Sequence, residues 1–420
     1  MLMNIPDKTI LVLYGADNLE RQQQRYKALI REYSGRFGTP RSLQFVSAPG
    51  RTELGGNHTD HNNGKVLCAS VSLDSVAAIE PRSDNRVKLK SSAFSHLFDI
   101  DLSELAPREQ EKGSTEALIR GVTAGMRMRN FRTGGFNAVV HSDVLIGSGL
   151  SSSASIEVLL GGIFNTLHNE SSVDPVTIAK IGQYAENVYF DKPCGLMDQL
   201  ACAVGGVLSI DFKDNENPVV EQIPVDFGQT GYILAVVHTG GSHADLTTAY
   251  ASIPMEMKQV ASLFKKNTLR EVGEEVFRTN ISMARKNAGD RAVLRALHFF
   301  SENHRVGMMV EALRAEEFDT YLRFVSESGA SSGSMLQNTV PPGNAGNDQP
   351  AALAIGVSND FFQSRGCGVS RIHGGGFAGT IQAYIHKDHF KDYSRLMTVM
   401  FGDACVQPLM IRMKGVSALH

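Results

Sequence analysis

Three glycine-rich segments, widely separated along the chain, each adjoin a short apolar run that predicts a β-strand. Glycine lets the backbone approach a ligand closely and adopt dihedral angles that other residues avoid. The polar side chains beside these glycines cannot build a core. Because the segments come from both halves of the chain, a ligand that touches all of them must lie in a cleft. The segments are 47–61 (SAPGRTELGGNHTDH), 144–160 (VLIGSGLSSSASIEVLL) and 373–380 (HGGGFAGT).

The order of the predicted elements favours the α+β fold class, because strands and helices are mixed without strict alternation. The composition changes at a charged turn near 205–230, so we predict an N-terminal domain at 1–215 and a C-terminal domain at 216–420. The longest predicted loop is 328–350. Apolar periodicity predicts the following helices: 18–36, 114–128, 152–168, 175–189, 254–266 and 307–325. Apolar runs predict the following strands: 43–46, 66–73, 76–80, 86–90, 136–140, 207–211, 232–238 and 380–384.

The composition excludes several classes of protein. Of the 420 residues, 42% are hydrophobic and 20% charged, which supports a sizeable core. The net charge of -3 supplies no basic field, so we expect no nucleic-acid or membrane partner. We expect no signal peptide, and the longest apolar runs are too short to span a bilayer. The five cysteines contain no C-x-x-C pair, which argues against zinc or a disulfide framework. We therefore expect a cytoplasmic protein. We also expect a monomer, with a dimer as the alternative.

The serine-rich segment 144–160 allows two interpretations. Its serines open an apolar helix, and the free N–H groups and positive dipole end of such a helix suit a phosphate. The hydroxyl groups add donors and a magnesium ligand. The same pattern fits a serine-capped helix after a glycine turn. No G-K-[ST] follows, so the segment is not a Walker A loop.

Two further segments also have alternative interpretations. The segment 373–380 is either a tight turn or a loop packed against a ligand or against the first glycine-rich segment. The segment 184–206 (YAENVYFDKPCGLMDQLACAVGG) places Glu186 on a predicted helix and Asp198 at the start of another. An acid in a first helical turn is often only a partner of the helix dipole. Asp198 therefore has a structural interpretation beside a functional one.

Taken together, these segments resemble the galactokinase branch of the GHMP small-molecule kinases. The family's sugar signature, of the type G-R-[VT]-N-L-I-G-E-H-T-D-Y-N-G-G, is similar to GRTELGGNHTDHNNG. The family's phosphate loop resembles GSGLSSSAS, its catalytic-aspartate segment resembles CGLMDQ, and its C-terminal glycine motif resembles HGGGFAGT. The four motifs occur in family order. The resemblance implies a two-lobed fold with the active site between the lobes, and ATP- and Mg²⁺-dependent phosphorylation of the anomeric hydroxyl of galactose.

The resemblance also implies roles for individual residues. Arg51 is implied to be the catalytic arginine, and Asp198 the acid beside the accepting hydroxyl. Asp198 either removes the proton early or, as we favour, orients the hydroxyl and takes the proton late. Ser153 and Glu186 are implied to hold magnesium, and Ser91 to touch the nucleotide. The implied phosphate ligands are Gly147, Ser148, Gly149, Leu150, Ser151, Ser152 and Ser153. The implied sugar ligands are Asn57, His58, Thr59, Asp60 and Tyr250.

Several positions depart from the family pattern. Asn57 stands in place of a glutamate, His61 in place of a tyrosine, and Ala378 in place of a glycine. An amide can donate as well as accept, whereas an ionised carboxylate only accepts. N-acetylgalactosamine, galacturonate or another aldose are therefore alternative acceptors. A non-catalytic sugar sensor is an alternative of a different class, which the intact phosphate loop, Arg51 and Asp198 disfavour.

Overall fold

The computed structural model describes residues 5–144, 149–240, 246–341, 348–377 and 379–419. Its strands are β1 Gln44–Gly55, β2 Lys65–Pro81, β3 Arg86–Ser91, β4 Leu97–Asp101, β5 Phe136–Ser142, β6 Val207–Asp211, β7 Val219–Ile223, β8 Tyr232–His238, β9 Gly368–Ile372, β10 Thr380–His386, β11 Val406–Leu409 and β12 Ser417–Leu419. Its helices are α1 Asp7–Tyr14, α2 Leu19–Phe37, α3 Thr115–Met128, α4 Ser152–His168, α5 Pro175–Ala185, α6 Met197–Val204, α7 Thr247–Leu263, α8 Leu269–Val272, α9 Glu274–Thr279, α10 Ile281–Ala288, α11 Asp290–Arg314, α12 Phe318–Ser331, α13 Pro350–Gln363 and α14 Phe390–Phe401.

The larger sheet has the strand order β12-β1-β2-β5-β3-β4, with β6 and β7 attached through β2. Side chains alternate between its faces, as the period of a strand requires. On β1, Phe45 packs with α1 and α2, whereas Val46 packs with α3–α6 on the other face. The same alternation continues through 76–79 of β2. Helices therefore cover both faces, which explains why these two strands are almost entirely buried.

The smaller sheet has the order β11-β8-β10-β9 and is antiparallel throughout. Ala235 and Val237 of β8 pack with α13 and α14. Leu234 and Val236 point to the opposite face, where they join a core that also includes Leu67 of β2. This second core holds the two sheets together and places the β9–β10 loop beside β1.

The mixture of sheets and helices confirms the α+β class. The helices predicted at 18–36, 114–128 and 152–168 are observed with small shifts at their ends. The predicted boundary between 215 and 216 stays a prediction, and strands β7 and β12 from beyond it belong to the larger sheet. Within the described ranges, we find no helix long and apolar enough to cross a membrane.

Several predicted boundaries are wrong. The first glycine-rich segment is a strand as far as Gly55, and the strands predicted at 66–73 and 76–80 are one continuous β2. The helix predicted at 307–325 is two helices, which Glu316 separates by its left-handed φ of 58°. Helix α7 begins at Thr247 and carries Pro254 in its interior. The predicted loop 328–350 begins as helix, through the end of α12 and a π-helix Ser332–Leu336.

Candidate active site

The centre of the site is an ion pair between Arg51 of β1 and Asp198 in the first turn of α6. Arg51 Nε donates to Asp198 Oδ1 at 2.6 Å, and Arg51 Nη2 donates to Oδ2 at 2.8 Å. A bidentate pair of this kind fixes the planes of both groups. Arg51 Nη1 also donates to the carbonyl oxygen of Gly149. The arginine therefore links the first glycine-rich segment, the segment 184–206 and the serine-rich loop.

Asp198 is held as a carboxylate. Burial raises the pKa of Asp198, but the guanidinium of Arg51 and the hydroxyl of Ser151 outweigh burial and bring that pKa below its ordinary value. Ser151 Oγ donates to Asp198 Oδ2. At neutral pH the group is therefore an acceptor of hydrogen bonds and a weak base.

The serine-rich loop is described from Gly149 onward, so Gly147 and Ser148 lie outside the described residues. Ser151 has a left-handed φ of 61°, Ser152 opens α4, and Leu150 is buried. Among the described residues, no side-chain cap bonds the start of α4. The hydroxyl of Ser151 goes to Asp198 instead, so the first N–H groups of the helix keep their capacity for an anion. This favours the phosphate interpretation over the serine-capped helix.

Gly149 shows why the loop needs glycine. Its φ of 74° lies in the left-handed region, and a Cβ there would approach Thr380 Oγ1 to 2.5 Å and His373 Nδ1 to 2.9 Å. The third glycine-rich segment thus lies directly against the serine-rich loop.

The two predicted magnesium ligands are in contact. Ser153 Oγ donates to Glu186 Oε1 at 2.8 Å, and Lys192 Nζ donates to the same oxygen at 2.9 Å. The Glu186 side chain is 2% exposed, whereas that of Lys192 is 60% exposed. Glu186 begins a π-helix after α5, which turns its carboxylate toward the start of α4.

Behind Glu186 lies a buried carboxyl group that no sequence motif predicted. Gln199 Nε2 donates to Glu186 Oε2 and to Glu157 Oε2, both at 2.9 Å. Burial, and then the charge of Glu186, raise the pKa of Glu157 well above its ordinary value. Glu157 lies on α4, where apolar periodicity gives no sign of a functional acid. The network holds the Glu186 carboxylate in one orientation.

The predicted sugar ligands surround a short turn after β1. His58 Nε2 lies 2.9 Å from the carbonyl oxygen of Gly375. Thr59 is fully buried, and its hydroxyl lies within hydrogen-bonding distance of backbone carbonyl oxygens at the two ends of the turn. Asp60 is partly exposed, and the backbone of Gly195 approaches its carboxylate closely. Thr59 therefore maintains the turn, while Asp60 faces the loop that leads to Asp198.

The third glycine-rich segment packs against the first, which is one of the two alternatives considered for it. His373 Nε2 and Thr52 Oγ1 lie 2.9 Å apart. Tyr250 Oη donates to the carbonyl oxygen of Gly376 at 3.0 Å. This predicted sugar ligand therefore also contacts the third glycine-rich segment. Ala378 lies outside the described residues.

Ser91 ends β3 and is nearly buried, with its hydroxyl accepting from the Ala93 N–H at 3.2 Å. Its contact with a nucleotide stays a prediction.

Two buried side chains that no motif predicted support the turn after β1. His298 Nε2 and Glu302 Oε1, one turn apart on α11, hold the carbonyl oxygen of Asn57 and the N–H of Gly56. Their spacing is that of any buried helix face, so the sequence offered no distinguishing signal.

Comparison with known proteins gives matches over most of the chain. The family model described as the galactokinase galactose-binding signature matches residues 31–81, and the model of the GHMP kinases N terminal domain matches residues 117–206. A galactokinase of Glaesserella parasuis is 30% identical over 358 residues, covering 85% of this chain and 88% of that relative. A galactokinase of Limosilactobacillus reuteri is 26% identical over 379 residues, covering 89% and 93%.

Among solved structures, the Lactococcus lactis galactokinase complexed with galactose superposes with a TM-score of 0.80 at 21% identity. The match covers 94% of this chain and 99% of that one. The two chains therefore share one fold over most of their length.

Proposed function

This chain belongs to the galactokinase family, and we propose that it transfers the γ-phosphoryl group of ATP to the anomeric hydroxyl of galactose. The products are galactose 1-phosphate and ADP. The observation that carries the proposal is the contact of Arg51, Asp198 and Ser151, which joins the sugar signature to the start of α4. The pattern of the signature and the relatives that share it support galactose as the acceptor.

In the proposed reaction the anomeric oxygen bonds to the γ-phosphorus as the bond to the β,γ-bridging oxygen breaks. Phosphoryl transfer depends on positioning and on neutralising charge more than on covalent chemistry. The N–H groups at the start of α4 would receive phosphate oxygens. The guanidinium of Arg51 would supply fixed positive charge beside the transferring group.

The hydroxyl proton goes to Asp198 in this proposal. Because Arg51 and Ser151 already stabilise the carboxylate, Asp198 is too weak a base to remove the proton before phosphorus is attacked. A loose transition state makes the hydroxyl acidic late, when the oxygen–phosphorus bond is forming. Asp198 then orients the hydroxyl first and accepts its proton afterwards.

The residues present fit a magnesium ion. Ser153 and Glu186 offer a hydroxyl and a carboxylate oxygen that lie 2.8 Å apart. Magnesium prefers hard oxygen ligands and keeps several waters, so two protein ligands are sufficient. When bound, the ion would neutralise charge on the phosphate oxygens.

The remaining parts of the proposal concern the surroundings of the site. His58, Asp60 and Tyr250 would hydrogen-bond sugar hydroxyls, and Ser91 would contact the nucleotide. The five cysteines are free thiols, which is consistent with a reducing compartment such as the cytoplasm. We propose a monomer as the working state.

A sugar panel tests the acceptor. Release of ADP would be measured with Mg²⁺ and ATP for galactose, glucose, N-acetylgalactosamine and galacturonate. An inverted hydroxyl leaves a buried partner unpaired, which costs about 1–3 kcal/mol. We therefore expect kcat/KM for galactose to exceed that for glucose at least about tenfold. A higher kcat/KM for galacturonate or N-acetylgalactosamine than for galactose would overturn the assignment of the acceptor.

A further inference from the structure

Among the positions at which the sugar signature of this chain departs from the family pattern, two are related. The pattern G-R-[VT]-N-L-I-G-E has an amide at its fourth position and an acid at its eighth. This chain, with GRTELGGN, has Glu53 at the fourth and Asn57 at the eighth. The acid and the amide have exchanged places, while the composition of the pair is unchanged.

The two exchanged side chains touch each other. Asn57 Nδ2 lies 3.2 Å from each carboxylate oxygen of Glu53. The glycines at 55 and 56 end β1 and turn the chain back, and Gly56 has a left-handed φ of 90°. This turn brings residue 57 over residue 53, so either arrangement of acid and amide can form the same hydrogen bond.

Asn57 has no hydrogen-bonding capacity to spare within the described part of the chain. Its side chain is fully buried. Besides Glu53, Nδ2 donates to the carbonyl oxygen of Gly374 at 2.7 Å. Its Oδ1 accepts from Asn338 Nδ2 at 2.8 Å and from Ser332 Oγ at 3.5 Å. A carboxylate at this position could not donate to Gly374, and it would face the carboxylate of Glu53.

The acid at position 53 has its own partner. Arg371 of β9 is fully buried and donates through Nη2 to Glu53 Oε1. Removing one member of a buried ion pair leaves the other charge uncompensated. The exchange of acid and amide is therefore matched by a cation from the other half of the chain.

The carbonyl groups next to Gly374 hold two of the predicted sugar ligands. Gly375 O contacts His58 Nε2 at 2.9 Å, and Gly376 O accepts from Tyr250 Oη at 3.0 Å. A change in the contact between Asn57 and Gly374 would therefore displace both ligands.

We propose that Glu53 and Asn57 form an exchanged pair that positions the sugar pocket by fastening the 374–376 loop to the sugar signature. Neither residue is a catalytic group, and Asn57 serves this loop instead of contacting the sugar. The effect on the sugar rests on the proposed function, whereas the coupling of the two side chains does not.

Shape-conserving variants test the pair. Glu53→Gln leaves Arg371 unpaired, and Asn57→Asp sets two carboxylates against each other. The double variant Glu53→Gln/Asn57→Asp exchanges acid and amide again. We expect each single variant to unfold at lower temperature and the double variant to recover part of the loss, with a coupling equivalent to at least about tenfold in the unfolding equilibrium. Additive losses would refute the pairing.

Steady-state kinetics distinguish a role in positioning the sugar ligands from a role in stability alone. For the sugar that the wild type phosphorylates best, we expect KM to rise at least about tenfold in Asn57→Asp. KM for ATP should stay within about threefold, because only the sugar ligands are displaced. Unchanged sugar KM in a folded Asn57→Asp variant would refute the positioning role. The matched control is Glu275→Gln/Asn287→Asp, which changes the same residue types at exposed positions and should alter neither quantity. If the wild type phosphorylated no sugar, the proposed function would fail, and the unfolding cycle would still test the pair.

Discussion

At the scale of single residues, the charges of the site are paired before any ligand arrives. Arg51 is paired with Asp198, and Glu186 is paired with Lys192. A buried ion pair stabilises little in itself, but loss of one partner leaves a costly buried charge. Both pairs therefore keep the charged groups in place before a ligand binds. A ligand must compete with the existing partner of each group.

Lys192 provides a test of that competition. Its ammonium group occupies Glu186 Oε1, the oxygen proposed to hold magnesium. Opposite charges at this distance near a protein surface attract by about 1–4 kcal/mol before screening, and the exposure of Lys192 places the effect at the low end. We expect Lys192→Met to tighten Mn²⁺ binding to the nucleotide-free protein by at least about threefold.

Calorimetry or Mn²⁺ spin resonance would measure this change. Glu186→Gln should weaken Mn²⁺ binding, because it removes the charged ligand. Lys180→Met is the control, since Lys180 bonds the carbonyl oxygen of Glu216 away from Glu186. Weaker Mn²⁺ binding in Lys192→Met than in the wild type would contradict this account.

At the scale of elements, prediction succeeded where one physical rule acted alone. Helix α4 was predictable because glycine and serine precede a long apolar period. Strand β1 was predicted only over 43–46, because its continuation through Arg51 and Glu53 is polar. Those side chains are buried by partners distant in sequence, such as Asp198 and Arg371. Similarly, the break between α11 and α12 has no glycine or proline to mark it.

The same limit applies to the site. The motifs named Arg51, Ser151, Ser153, Glu186 and Asp198, which the structure brings together, because each belongs to a segment with unusual composition. Glu157 and Arg371 lie in ordinary apolar elements, and only their contacts identify them. Such residues cannot be found by reading the chain one segment at a time.

One buried cluster joins elements from both ends of the chain. Asp74 of β2 accepts from Arg25 Nη1 of α2 at 2.7 Å and from Arg412 Nη1 at 3.0 Å. We expect Asp74→Asn to lower the free energy of unfolding by about 3–5 kcal/mol, the usual cost of breaking a buried ion pair. Asp143→Asn, at a partly exposed pair, should cost less than about 1 kcal/mol.

The stability contributed by Asp74 should depend on pH. Burial raises the pKa of Asp74, and the two arginines outweigh it, so its pKa lies below the ordinary 3.8. A depressed pKa stabilises the fold above the unfolded value, and this contribution is lost as pH falls through the folded value. Denaturant unfolding of wild type and Asp74→Asn at several pH values measures it. A difference between the two proteins that grew as pH fell below 3.8 would contradict this explanation.

At the scale of the whole molecule, the site lies where the two sheets meet. β1 supplies Arg51, and the β9–β10 loop packs against β1. β12, from the end of the described chain, pairs with β1. The cleft was predictable, because motifs from both halves must meet around one ligand. The covering of β1 by β12 was not, since three residues of ordinary composition form that strand.

The most direct test of the account is a ³¹P NMR time course of galactose, ATP and Mg²⁺ with the wild type and with Asp198→Asn. We expect the phosphate to appear on the anomeric oxygen, with coupling to the anomeric proton. Asp198→Asn should turn over about 10²–10⁴ times more slowly, the usual range for a positioned proton acceptor, while calorimetry shows nearly normal galactose binding. Phosphate on another hydroxyl, or a near wild-type rate in Asp198→Asn, would contradict the account.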